Sequence, residues 1–322
     1  MNFGQRFLWA AAAILVPALA AAAYPEKPIT MIVPFPPGGP TDAVARLVGQ
    51  RLSLEMGQSI IIDNRGGAGG VLATNLAATA KPDGYTIFFA TTGTMAINPT
   101  LYKDTLKVDP LKAFVPIGTA SSSSSVLVVN KDAPYRTVQD VIAAARATPG
   151  ALTFASSGNG GVIHLTGELF RKAAGIKIEH IPYKGSAPAL TDLMGGRVTM
   201  MFDLTPGSMP FIQSGRLKAL AVTNKHRVEG LPGVPTVAES GLPNFEVTNW
   251  VGLVAPKGVP QEVITRLSSD LQRVLSKPEV QKQLSELGSE VLPGTPGEFA
   301  ALLKSDAKKW SELVKASGAS ID

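Results

Sequence analysis

Residues 31–52 read MIVPFPPGGPTDAVARLVGQRL, and the fold turns on how this stretch divides. The apolar run from Ile29 to Val33 predicts a buried strand. It stops at the Pro/Gly turn of residues 34–40, and a helical pattern begins at once, with Val44, Leu47, Val48 and Leu52 on one face. Gly39 suits the N-cap, and Pro40 suits the first helical position, where a missing N–H costs nothing. Asp42 in the first turn complements the helix dipole. A strand that runs through glycines into a helix start offers bare backbone N–H groups to an anion. Taken alone, such a turn is an ordinary strand-to-helix connection.

The same pattern returns further along. Ser59–Asp63 and Tyr85–Ala90 read as strands, separated by a glycine-rich segment, NRGGAGG (64–70), and a helix through Leu72 and Leu76. Strands alternating with helices at this spacing mean βαβ units and a mostly parallel sheet. The glycines at 66, 67, 69 and 70 form no dinucleotide fingerprint, because G-x-G-x-x-G is absent and no acidic residue is placed for a ribose. Val115–Thr119 and Val126–Val129 read as two strands separated by five serines, Ser121–Ser125. Thr137 and Asp140 are spaced as a capping box for the next helix. Then Leu152–Ala155, a strand, enters SSGNGG (156–161), and a helix carries Val162, Leu165, Leu169 and Phe170. Two facing helix N-termini, one per half of the molecule, would clamp one anionic ligand. Later strands are expected at Ile178–Tyr183, Val198–Phe202, Leu217–Val222 and Asn249–Ala255, with Asp203 delivered at the end of the second and three helices closing the chain.

At 322 residues the chain suits two domains. Residues 1–23 stand apart: Arg6, an apolar run from Phe7 to Leu19, and small residues at 18–23 spell a secretory signal peptide, with cleavage expected after Ala23. There is no cysteine, so neither a lipid anchor on cysteine nor a disulfide is available. Arg6 is the only charge in the signal, so the exported chain carries +4 in place of +5. With no Lys/Arg cluster, nucleic acid is excluded as a partner.

VPFPPGGPTD (33–42), IDNRGGAGG (62–70), KPDGYT (81–86), INPTLY (97–102), FASSGNGGVIHL (154–165), HIPYKGSAPALTDLMGGRV (180–198), RLKALAVT (216–223), LPGVPTVAESGLP (231–243) and NWVGLVAPKGVP (249–260) together resemble one family. It is the solute-binding receptors of tripartite tricarboxylate transporters, the Bug receptors. The likeness is collinear and runs from Tyr24 to the C-terminal helices. It implies a periplasmic-binding-protein fold of type II, with two α/β domains on a hinge and a ligand cleft between them. The domains are expected at 24–124 with 249–322, and at 125–248. The resemblance further implies a periplasmic location; a monomer is the default for a diffusing receptor, no cofactor is expected, and no metal either, since His180 and His226 lack partners at metal-ligand spacing and there is no cysteine. Such a receptor binds a small organic acid and delivers it to a membrane complex of one large and one small subunit. By the same likeness Phe35, Gly38, Gly39 and Asp42 belong to the first-domain ligand loop, and Thr92 to the third-strand loop. Ser156, Ser157, Gly158 and Asn159 belong to the second-domain loop, with Asp203 beside it. Gly161 departs from the pattern, where a Ser or Thr is common; only its backbone N–H remains to meet a ligand.

Two other function classes compete. A receptor that presents its solute to a membrane sensor would have the same sequence features. An exported hydrolase would need one of His164, His180 or His226 to meet a serine and an aspartate, but G-x-S-x-G is absent. Asp203 also has a plain reading, holding loop N–H groups in place. His164 reads as packed and hydrogen-bonded, and PYKG (182–185) as a structural turn.

Overall fold

The computed structural model describes residues 24–317; the signal-peptide reading of residues 1–23 lies outside them. The first third of the chain runs β1 (Ile29–Val33), α1 (Pro40–Met56), β2 (Ile60–Asn64), a 3₁₀ turn (Ala68–Gly70), α2 (Val71–Ala78) and β3 (Thr86–Thr91). A π-helical turn (Gly93–Ile97) then leads into two four-residue helices, α3 (Asn98–Leu101) and α4 (Pro110–Ala113). β1 lies parallel between β2 and β3, as the alternating pattern requires. Gly57 ends α1 in the left-handed conformation at φ +68, its N–H bonded to Ser53 O.

A single 17-residue strand, β4 (Phe114–Asn130), follows. The expectation of two strands parted by the serine run is therefore corrected: Ser121–Ser125 are strand, and they carry the chain from one half of the molecule to the other. Serine favours turns; here Ser121–Ser123 are held between residues 249–251 and 289–291, Ser124 by Thr248 and Ser125 by Leu204. The chain continues through α5 (Val138–Ala147), β5 (Thr153–Ser156), α6 (Val162–Ala174), β6 (Glu179–Pro182), α7 (Ser186–Met194), β7 (Met200–Leu204), α8 (Thr205–Gln213) and β8 (Leu217–Val222). It returns along β9 (Thr248–Pro256) and closes with α9 (Gln261–Leu275), α10 (Pro278–Glu286), β10 (Ser289–Val291) and α11 (Pro296–Ser317). The capping box of α5 is formed: Asp140 N–H donates to Thr137 Oγ1 and Thr137 N–H to Asp140 Oδ2.

β9 lies antiparallel between β3 and the first part of β4, and β10 pairs with Ser121–Ser123 on the other edge of β4. From Ser125 onward β4 pairs instead with β7 and β8, and β5 lies parallel between β7 and β6. Two α/β domains thus share one strand. Phe154, Phe170 and Phe202 anchor the core around β5 and β7, while Ile29, Met31, Leu267 and Leu271 anchor one face of the other sheet. α11 straddles the two: Phe299 and Leu303 pack beside Phe88 and Trp250, whereas Trp310 and Val314 join the core that contains Phe154.

Candidate functional site

The loop after β1 is fixed by one buried carboxylate. Asp42 Oδ2 accepts from Gly38 N–H (2.9 Å) and Arg46 Nε (2.9 Å), and Oδ1 accepts from Asn64 Nδ2 (2.9 Å). Asn64 spends its other amide proton on Phe35 O (3.0 Å), and Arg46 Nη2 donates to Asn64 Oδ1. Burial pushes the Asp42 carboxyl up, but the bonds from Arg46, Gly38 and Asn64 outweigh it and hold it below its ordinary value. Gly38 takes φ +81 to make this turn.

The loop after β5 is fixed by two histidines. Ser156 Oγ lies 2.6 Å from His180 Nε2, 3.0 Å from Gly158 O and 3.2 Å from Gly158 N. His164 Nδ1 accepts from Gly160 N–H (3.0 Å), and the two imidazoles stack with centroids 4.0 Å apart, His180 lying also on Phe154. Burial, then the neighbouring His164, lowers His180 to about 3; burial likewise lowers His164 despite Glu168 nearby. Both rings are neutral at pH 7.

A third loop precedes α7. Gly185 takes φ +113 and donates its N–H to Ser157 O (3.2 Å). Ser186 and Ser208 donate to the two oxygens of the fully buried Asp203 (2.9 and 2.8 Å). Burial pushes this carboxyl up to about 6, against the bonds from Ser208, Ser186 and Leu204 N–H.

These three loops enclose a cavity of about 50 Å³ that opens to solvent. Phe35–Pro37 and Gly39–Thr41 line one wall, Ser157 and Gly161–Ile163 another, and Lys184–Pro188 a third; Thr91, Gly93, Leu204 and Asn249 complete it. The starts of α1, α6 and α7 therefore converge on one space, each preceded by a glycine N-cap without a capping side chain. Their first N–H groups have no partner within their own helices. Among the described residues, none that lines the space is acidic. Among the described residues no group of three or more His, Cys, Asp or Glu stands together to hold a metal.

Of the expected ligand residues, Phe35, Gly39, Ser157 and Gly161 line this cavity. Gly158 and Asn159 line a wider space just outside it, which Phe35 and Ser157 share. Gly38, Asp42, Thr92, Ser156 and Asp203 line neither. Gly38, Asp42, Ser156 and Asp203 hold the loops from behind, while Thr92 Oγ1 accepts Trp250 N–H (2.9 Å) and ties β3 to β9. Thr91 and Gly93, on either side of it, face the cavity instead. The short helix that the sequence indicates within 184–196 forms as α7; its start at Gly185–Ser186 joins the site, which the sequence reading does not anticipate although KGSAP carries the same glycine-then-helix signature as the first two. Lys184, read as part of a plain turn, is on the wall.

The Ser156–His180 pair is not a nucleophile and its base. Ser156 has one hydroxyl proton, and the network is satisfied when Oγ donates to Gly158 O and accepts from Gly158 N–H and a protonated Nε2. That makes His180 a donor. Ser156 is also fully buried and does not reach the cavity.

Known proteins share this architecture. The family model described as "Tripartite tricarboxylate transporter family receptor" matches residues 44–319. BugT of Bordetella pertussis is 35% identical over 97% of this chain and 95% of its own. The R. palustris protein Rpa4515, solved with adipate, is 36% identical with a TM-score of 0.89, covering 92% of this chain and 99% of that one. MatC from Rhodopseudomonas palustris, solved with bound malate, is 32% identical with a TM-score of 0.85, over 90% and 100%. The fold is that of the periplasmic binding proteins, and the chain belongs to the receptor family of the tripartite tricarboxylate transporters.

Proposed function

We propose that this protein captures a small organic carboxylate in the cavity at the three helix starts and delivers it to a membrane transporter of one large and one small integral subunit. One observation carries the reading: the glycine-capped starts of α1, α6 and α7 meet at a single space that no acidic side chain among the described residues lines. Each charge-assisted hydrogen bond contributes roughly 1.5–3 kcal/mol, and micromolar affinity corresponds to about 8 kcal/mol net. Several N–H donors, helped by the Ser157 and Thr41 hydroxyls, reach that without an arginine clamp. The adipate- and malate-bound relatives are consistent with this chemistry.

In this reading residues 1–23 export the chain, which works as a periplasmic monomer and catalyses nothing. Residues 24–124 with 249–322 form one domain and 125–248 the other, and the chain bends where β4 changes sheets. Native mass spectrometry of freshly purified mature protein, followed by a thermal-shift screen of small carboxylates, tests it. A co-purified acid or a stabilising acid that is not turned over is expected. No bound species and no shift across the panel would sink the carboxylate reading.

A further inference from the structure

Besides the three helix starts, the cavity takes part of its wall from β9, the strand by which the chain returns between the domains. Side chains alternate along this strand, and Val251, Leu253 and Ala255 point into the core that contains Met31 and Leu271. Asn249 shares their sense, so it puts an amide where the stripe calls for an apolar group. It lies beyond the end of β3, whose Thr91 pairs with Val251, and it pairs with Ser123 of β4. There the sheet gives way to the cavity, and Asn249 forms part of its wall.

An amide that serves the fold has partners. Asn64 Nδ2 donates to Asp42 Oδ1 and Phe35 O, and Asn98 Nδ2 donates to Gly69 O (3.0 Å). Asn249 is only 3% exposed, yet its side chain bonds to no described residue. Three side-chain atoms of the described residues are unbonded and also sealed from any surface: Asn98 Oδ1, Ser125 Oγ and Ser289 Oγ. Neither atom of the Asn249 amide is among them. Oδ1 and Nδ2 therefore both keep a sliver of open surface, and the opening they have is the cavity.

We infer that Asn249 is the specificity-determining residue of this site: it reads a hydrogen-bond donor, a hydroxyl or an ammonium, carried next to the ligand's carboxylate. The inference rests on the carboxylate reading above. Helix-start N–H groups only donate, and the Thr41 and Ser157 hydroxyls can turn to donate as well. Among the side chains of the described residues that line the cavity, Asn249 has the one carbonyl oxygen. A plain carboxylate only accepts, so it answers Nδ2 and leaves Oδ1 dry and unpaired. A hydroxy or amino acid answers both atoms. A site built to bond a donor discriminates against the analogue that lacks it, because the site's own polar atom is then stranded.

Calorimetry with matched probes tests this: both enantiomers of malate and of aspartate against succinate, and of 2-hydroxyglutarate and glutamate against glutarate. In the wild type the best donor-bearing acid is expected to bind at least roughly tenfold more tightly than its unsubstituted partner. The malate and aspartate arms tell a hydroxyl from an ammonium. Asn249→Leu, close in shape but apolar, is expected to bring the ratio within about threefold. Asn249→Asp keeps an acceptor and adds a charge, so the ratio should persist while both affinities fall. Without ligand, Asn249→Leu should melt no lower than the wild type, because it removes a buried amide that has no partner. A wild type that binds both members of each pair alike overturns the inference and leaves the carboxylate receptor standing. So does an Asn249→Leu protein that keeps the full ratio, or one that fails to fold or melts more than about 5 °C lower, since the amide would then be holding the crossing strand. Binding of no acid in the panel overturns the carboxylate reading, and the inference with it.

Discussion

Asp42 accepts three hydrogen bonds, and Asp203 accepts two hydroxyls and one N–H, yet neither carboxylate reaches the cavity. Each fixes the start of a helix that does. Asp42→Asn offers an amide proton where Asp42 accepted one, so unfolding in urea at pH 7 is expected to show a loss of about 1–3 kcal/mol. Because the folded state holds Asp42 below its ordinary 3.8, its stabilisation is present above that pH and fades as pH falls through the folded value. The gap between wild type and variant should therefore narrow in acid; a constant gap would show that the charge is not what matters. His180 behaves in the same direction for another reason. Unfolded, it takes a proton near 6.5; folded, only near 3. Its contribution is complete above pH 6.5 and is lost as pH drops toward 3. His180→Gln should flatten that part of the stability–pH curve, and an unchanged slope would sink the assignment. The loops themselves were legible from glycine, proline and helix periodicity. Which side chains face the cavity was not, since Ser156 and Ser157 are alike in sequence and only the partner His180, some two dozen residues away, decides that Ser156 turns inward.

At the scale of elements, a glycine before a helix start was the most informative signal, and it occurred three times where two were recognised. The helix after Gly185 is legible, but because α7 is short and its first turn contains Pro188, its start does not read as a ligand-facing one. α8 went unread for a similar reason: Pro206 suits a helix start, but Pro210 sits inside and lacks the N–H that an interior position uses. β4 reads as two strands because serine favours turns, whereas Ser121–Ser123 are paired on both edges and Ser124 and Ser125 on one. The run is not uniform, and this gives a sharp contrast. Ser124 Oγ accepts N–H bonds from Thr223 (3.0 Å) and Asn224 (3.2 Å) and donates to Ser125 O. The buried Ser125 Oγ has no partner among the described residues. Ser124→Ala should cost roughly 1–3 kcal/mol in urea unfolding. Ser125→Ala should be neutral within about 0.5 kcal/mol or slightly stabilising. Equal losses for both would mean that the hydroxyl network does not hold the crossing.

For the molecule as a whole, the two domains touch around the cleft as well as at β4. Tyr102 Oη donates to Asn159 O (2.6 Å) across the opening, and Pro36 meets Gly185. Tyr102→Phe removes one such tie. Calorimetry should show affinity falling about two- to tenfold, as the loss of one hydrogen bond predicts, with the fold intact. If closure accompanies binding, X-ray scattering should show a smaller radius of gyration at saturation; no change would count against a hinge. The shared strand has one more consequence. Side chains along a strand alternate in sense, so adding or removing a single residue inverts the facing of everything beyond it. In β4 that message passes from one sheet into the next. The register shifts at Pro116/Gly118, Thr119/Ser121 and Leu127/Val128 are the places where parity is reset. A chimera that joins the first half of this receptor to the second half of a relative must therefore conserve parity through the serines. Two residues more or fewer would be tolerated there, whereas one would present the wrong faces of Val126–Val129 to β7 and β8.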